Sequence, residues 1–403
     1  MERTIELQKK FLRILASAQV LLGVGTASTV AAGSLLMSKV SGSESLAGLA
    51  QTFSVIGSAI LAVPLARMTM KRGRRLALTF GYSAGVVGAI LAVIGGVLSF
   101  WPIILLGTLF VGGAAAAGYQ ARFAATDLAA DARKAQDLSF VVWGSTVGAV
   151  AGPNLMQPMS RVAAGLGIEP LVGPYLLASC MFALSAALVW LLLRPDPYLL
   201  AAQSVSEVAR NTTLKQTWRS LQSNATAMFA IASIAIGHVA MVSVMVMTPV
   251  HMAHVDVQLE IIGLVISIHV LGMYAFSPLI GRLTRKTSSI FTIRSGVITL
   301  LLSALISGLA QPTSITALGL GLFLLGLGWS ATLIAGSALL SSSVATEFKA
   351  ASQGVSDLAM NTAGALGGAV AGVIIAFGSY GWLCLLSAIP VAILGLRSIT
   401  LTR

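Results

Sequence analysis

Four side chains at one-turn spacing carry the most specific chemistry in this sequence: Met241-x3-Met245, then His269-x3-Met273. Residues four apart share a helix face, so each pair presents two soft donors, one above the other. Thioethers and imidazoles select Cu(I), whereas carboxylates suit magnesium, calcium or manganese. All four histidines of the chain, His238, His251, His254 and His269, fall within 32 residues, and that stretch holds only two acids, Asp256 and Glu260. The pairs lie on consecutive apolar stretches joined by a short outer loop, 251 to 257. On a rise of about 1.5 Å per residue, Met245 lies about 7 Å deep, Met241 about 13 Å, His269 about 16 Å and Met273 about 22 Å. If the two faces meet, such a series forms a ladder leading inward, with His251, Met252 and His254 as capture ligands at its mouth and His238 as an accessory ligand. Methionine binds weakly enough to release an ion, and transport needs release as well as capture. A packing reading stays open beside it, because paired methionines commonly fill core gaps and membrane histidines also serve as hydrogen-bonded bundle residues or proton carriers.

Other chemistry is sparse. Cys180 and Cys384 fall in apolar stretches and form no C-x-x-C pair, and neither a P-loop nor H-E-x-x-H occurs. ATP-driven transport by this chain and membrane-enzyme chemistry are therefore excluded from the expectation. Tyr119, Gln120, Arg122, Asn154, Gln157 and Asn361 are polar groups inside apolar stretches, and Trp143 and Trp329 are flat rings able to stack on an aromatic solute. A buried Arg122 costs about 2.5 to 3.5 kcal/mol on insertion scales, so Asp127, or a snorkel to the surface, is its expected relief. Arg122 and Asp127 are the gating or coupling candidates. With no acid evident at mid-membrane, His238 and Asp127 are the candidate proton carriers.

These residues need elements to hold them. The chain has 403 residues, of which 56% are hydrophobic and 9% charged, with a mean hydropathy of +0.91; a soluble domain carries about 25% charged residues. Twelve apolar stretches, near 12–36, 46–66, 76–99, 102–124, 138–162, 171–193, 225–250, 258–281, 290–310, 316–341, 353–377 and 380–397, are each long enough to cross a membrane as a helix. The fold expected is an all-α polytopic membrane protein in two pseudo-symmetric halves: six helices in 1–193, a linker over 194–224 and six helices in 225–403. Basic loops, glycines and a Lys-to-Gln segment recur about 215 residues apart, and paired six-helix halves around a midplane site suit a rocking transporter. Of 25 Lys and Arg, 21 fall on the side of the termini, which predicts cytoplasmic termini by the positive-inside rule. The net charge of +12 is then an orientation signal, and no nucleic-acid partner is expected.

With these features together, the chain resembles the major facilitator superfamily over nearly its whole length. Arg72-Gly73-Arg74-Arg75 is similar to its loop signature, with Met70 where the usual acid stands, and Gly144-x3-Gly148-x3-Gly152-Pro153 is similar to a glycine-proline pattern of its exporters. Within it, Met241, Met245, His269 and Met273, with 28 residues from first Met to His, resemble the CcoA-like subfamily of bacterial copper importers, as does Arg122-Phe123-Ala124-Ala125-Thr126-Asp127. The resemblance implies a monomeric transporter of the bacterial inner membrane, with copper as transported substrate, no prosthetic group, and those four residues as the copper-handling set. Some relatives with the same motifs import riboflavin, so a flavin or similar aromatic solute is the alternative cargo. Proton-coupled multidrug export and a membrane sensor without turnover complete the expectations.

Overall fold

A computed structural model describes residues 2–42, 46, 49–202, 214–253, 259–311 and 313–400. Apolar segments that span a bilayer must satisfy their own backbone groups, and helices do so internally. Accordingly, each of the twelve expected stretches is helical over nearly all of its described residues. In chain order the helices are α1 (Glu2–Ser41), α2 (Leu49–Arg72), α3 (Arg74–Val97), α4 (Trp101–Ala124), α5 (Lys134–Gly165), α6 (Gly173–Leu192), α7 (Pro197–Ala202), α8 (Leu214–Gln222), α9 (Ala225–Ala253), α10 (Leu259–Tyr274), α11 (Ser277–Lys286), α12 (Ser289–Leu309), α13 (Ile315–Ser343), α14 (Thr346–Phe377) and α15 (Tyr380–Thr400). Among the described residues, eleven segments are long and apolar enough to cross a membrane, and no strand occurs.

Local chemistry sets the boundaries. Gly73, at φ +88°, separates α2 from α3, a conformation glycine adopts without steric cost. Ser288 caps α12 by accepting from the Phe291 N–H at 3.1 Å. The stretch 258–281, expected as one helix, is broken at Ala275 and Phe276 into α10 and α11. Pro278 causes the break: it cannot donate to the Tyr274 carbonyl four residues back, and its ring crowds that carbonyl.

Two compact units result. The first comprises Met1–Ala129, Gly144–Thr217 and Thr346–Leu358; the second comprises Ala130–Trp143, Trp218–Ala345 and Ala359–Arg403. The helices α5 and α14 thus contribute one end to each unit. In the first unit α3 packs on α4 and α6, α2 on α4, and α1 on α6. There α5 approaches α1 closely, because a Cβ on Gly148 would sit on the Gly23 backbone and one on Gly152 would lie 2.6 Å from Ala27 Cβ; small residues let membrane helices meet at backbone distance. In the second unit α13 is central, with α9, α10 and α12 packed around it. Leu138 and Val142 of α5 join Ile280, Ala331 and Ile334 in a buried apolar cluster of that unit.

Candidate functional site

The Met and His residues belong to the second unit. Met241 and His238 are buried on α9, Met245 is half-buried, and His269 and Met273 are buried on α10. Each of these helices packs principally on α13, far less on the other. Glycines permit the approach: a Cβ on Gly237 would clash with the Thr332 side chain, and one on Gly326 would strike the His269 carbonyl and lie 2.8 Å from the Met273 amide nitrogen. The two ladder helices thus come together chiefly through a shared backing helix rather than face to face.

That backing helix fixes both imidazoles, in opposite senses. His269 Nδ1 lies 2.8 Å from the Leu322 carbonyl oxygen. A carbonyl only accepts, so Nδ1 carries the proton and Nε2 keeps a lone pair. His269 is wholly buried, and among the described residues Nε2 has no hydrogen-bond partner. His238 differs, because Trp329 Nε1 donates to its Nδ1 at 3.0 Å. An indole N–H only donates, so that nitrogen is the acceptor and its lone pair is occupied. Near the C-terminal end of α9, the His251 ring stacks on Tyr380 with centroids 4.3 Å apart. The Tyr380 hydroxyl and Thr248 Oγ1 share a 2.8 Å hydrogen bond, and Met252 is fully buried. His254 lies outside the described residues. Among the described residues, no three His, Cys, Asp or Glu side chains converge as a metal site.

A second constellation lies in the first unit and is richer than the sequence suggested. Arg74, the first residue of α3 and fully buried, holds Asp127 through Nε at 2.8 Å and Nη2 at 3.1 Å. It also donates to Gln120 Oε1 at 2.9 Å and to Gln353 Oε1 at 2.5 Å. Gln120 passes the network on, donating to Asp357 at 2.6 Å. Arg122 pairs with the other Asp357 oxygen at 2.6 Å, both side chains almost completely buried. The expected relief of Arg122 by Asp127 is thus corrected: Asp127 belongs to Arg74, and Asp357 of α14 answers Arg122. The reason is local. Beyond α4 the chain tightens, with Thr126 N bonded to the Phe123 carbonyl and Asp127 N to the Ala124 carbonyl, and this turn delivers Asp127 to the start of α3.

Asp357 was not picked out from sequence, although an acid four residues inside the stretch 353–377 was the available signal, and Arg74 and Gln353 stood out only as parts of a basic loop and a repeated Lys-to-Gln segment. Met70, standing where an acid was expected, packs instead with Tyr198, Ala350 and Ala351.

Comparison with known proteins agrees with this architecture. A family model described as Major Facilitator Superfamily matches residues 15–368. The chain is 33% identical over 384 residues to the uncharacterized MFS-type transporter YddS of Bacillus subtilis, covering 94% of this chain and 88% of that protein. It is 27% identical over 353 residues to the riboflavin transporter RfnT of Brucella anthropi, covering 86% and 84%. Among solved structures, the proton:xylose symporter XylE bound to 6-bromo-6-deoxy-D-glucose superposes with a TM-score of 0.80 at 14% identity, covering 98% of this chain and 96% of that one.

Proposed function

This chain belongs to the Major Facilitator Superfamily and is a secondary transporter, not an enzyme; we propose that its cargo is copper, carried inward by Met245, Met241, His269 and Met273. One observation carries the proposal. A metal-ligating imidazole characteristically donates its other ring N–H to a carbonyl or carboxylate, which fixes the tautomer and turns a lone pair to the ion. His269 has that arrangement, with Nδ1 held by Leu322 O and Nε2 buried without a protein partner. Met273 one turn along α10 and Met241 on α9 are buried thioethers of matching softness. His238, whose Nδ1 accepts from Trp329, serves this reading as a hydrogen-bonded proton carrier rather than a ligand, and His251 and Met252 stand at the outer end of α9.

In the same reading, Arg122 and Asp127 act as gating residues, each with the counter-ion described above, and transport proceeds by alternating access across a bacterial inner membrane with cytoplasmic termini. The break between α10 and α11, one residue beyond Tyr274, supports placing the site on α10, because interrupted membrane helices gather at transporter binding sites.

A second reading, riboflavin import, is favoured by the similarity to RfnT. Parallel uptake of copper and riboflavin into proteoliposomes separates the two. Copper accumulation by the wild type, abolished by His269→Ala and by Met241→Leu with both variants still folded, is the expected result. Riboflavin uptake without copper uptake, or copper uptake unchanged in both variants, overturns the copper assignment.

A further inference from the structure

A cavity of about 550 Å³ opens in the first unit where α1 begins and α6 ends, lined by Glu6, Lys9, Lys10, Arg13, Ile14 and Leu192. Three of its six lining residues are cations and one is an acid. On α1, Lys9 and Arg13 are one turn apart and share a face; both are exposed, and neither forms an ion pair or hydrogen bond among the described residues. Lys10 donates to the Arg194 carbonyl oxygen at 3.1 Å, tying α1 to the end of α6. The surface beside the cavity is apolar: Leu191 is 63% exposed and Leu184 50% on α6, and Ile5 47% on α1. Nearby, the Arg75 guanidinium lies 4.6 Å from the centre of the Trp190 ring, and a half-exposed tryptophan at a helix end marks the level of lipid headgroups.

We propose that this cavity binds the phosphate headgroup of an anionic phospholipid, with the acyl chains lying along the exposed leucines of α6. The chemistry selects the class. Lys9 and Arg13 supply charge-assisted donors to phosphodiester oxygens, Ile14 and Leu192 meet the glycerol backbone, and the excess of positive charge excludes zwitterionic headgroups from the same preference. Basic pockets among membrane helices are established headgroup sites on the cytoplasmic side, the side on which the distribution of Lys and Arg puts the termini. Glu6 opposes binding and limits the gain. Because Lys10 already joins α1 to α6, a bound headgroup spans the same junction and holds the two helix ends together. The assignment rests on the membrane-spanning fold and is independent of the cargo.

Native mass spectrometry of the delipidated, full-length protein in detergent tests it, with phosphatidylglycerol and phosphatidylcholine as parallel probes and inorganic pyrophosphate as the soluble anion. Each cation near an anionic lipid contributes about fivefold to affinity. Lys9→Gln/Arg13→Gln should therefore weaken phosphatidylglycerol binding about 25-fold, whereas Arg282→Gln/Arg285→Gln, which removes the same charge on α11, leaves it unchanged. Pyrophosphate should fail to displace the lipid. Equal retention of both lipids, an equal loss in the two double variants, or displacement by pyrophosphate would each overturn the proposal.

Discussion

Replacing Asp357 by asparagine strips the counter-ion from a guanidinium that has almost no access to water. Arg122 and Asp357 side chains are 2% and 1% exposed and meet at 2.6 Å. Breaking a buried pair by removing one partner costs about 3 to 5 kcal/mol, because the remaining charge is left uncompensated. The surroundings point to the lower end of that range. Gln120 still bonds the asparagine, and the Arg122 guanidinium lies 4.8 Å from the Phe123 ring centre and 5.5 Å from that of Tyr119, contacts worth about 0.5 to 2 kcal/mol each. A loss of about 3 kcal/mol, roughly 150-fold in an equilibrium constant, is the expectation for Asp357→Asn. Arg122→Gln should cost a similar amount through the stranded carboxylate. The double variant removes both charges and leaves amides able to bond each other, so its cost should fall about 2 to 3 kcal/mol short of the sum. Reversible unfolding in mixed detergent micelles, followed by circular dichroism, measures all three. Additivity of the single losses within about 0.5 kcal/mol would falsify the claim that the two side chains act as one buried pair.

Three further outcomes follow from geometry already described. Gly326→Ala forces α10 to retreat by about 1 Å from α13 to restore ordinary contact with the His269 carbonyl oxygen; if His269 and Met273 are ligands, copper affinity measured by competition with a chromophoric chelator should fall about 10- to 100-fold with every ligand intact. Gly148→Leu drives a side chain into the Gly23 backbone and should lower stability by at least 1 to 3 kcal/mol, read as an earlier thermal transition in detergent; an unchanged transition contradicts the close approach of α1 and α5. Lys39→Gln removes an ion pair whose lysine side chain is 58% exposed, so stability should change by less than about 1 kcal/mol, and a larger loss in the same unfolding assay would show that the pair is not a surface interaction.

Much of the fold was legible because apolar run length is a direct consequence of bilayer thickness: among the described residues each of the twelve stretches is mainly helix, and the one containing Pro278 is interrupted. The Met and His residues were legible for a related reason, since soft donors at four-residue spacing stand out in a chain with few polar groups. Tautomers were not, because they depend on Leu322 and Trp329, residues 53 and 91 positions away from the imidazoles they fix. Asp357 was missed for the same cause. Its partner Arg122 is 235 positions distant, whereas the sequence offered Asp127 five residues away, and the short turn after Phe123 that sends Asp127 to Arg74 has no periodic signature.

The bond from Trp329 to His238 gives the protein an optical witness of its own. Once His238 takes a second proton, both ring nitrogens donate and the indole N–H loses its acceptor. Trp329 is buried, and Tyr274 meets its ring edge-on with centroids 5.8 Å apart, so the loss occurs beside the last residue of α10 at the helix break. A proton arriving on α9 is thereby converted into a change in the surroundings of one fluorophore. If His238 is the proton carrier, the emission of Trp329, in a variant that keeps it as the only tryptophan, should report that protonation in real time.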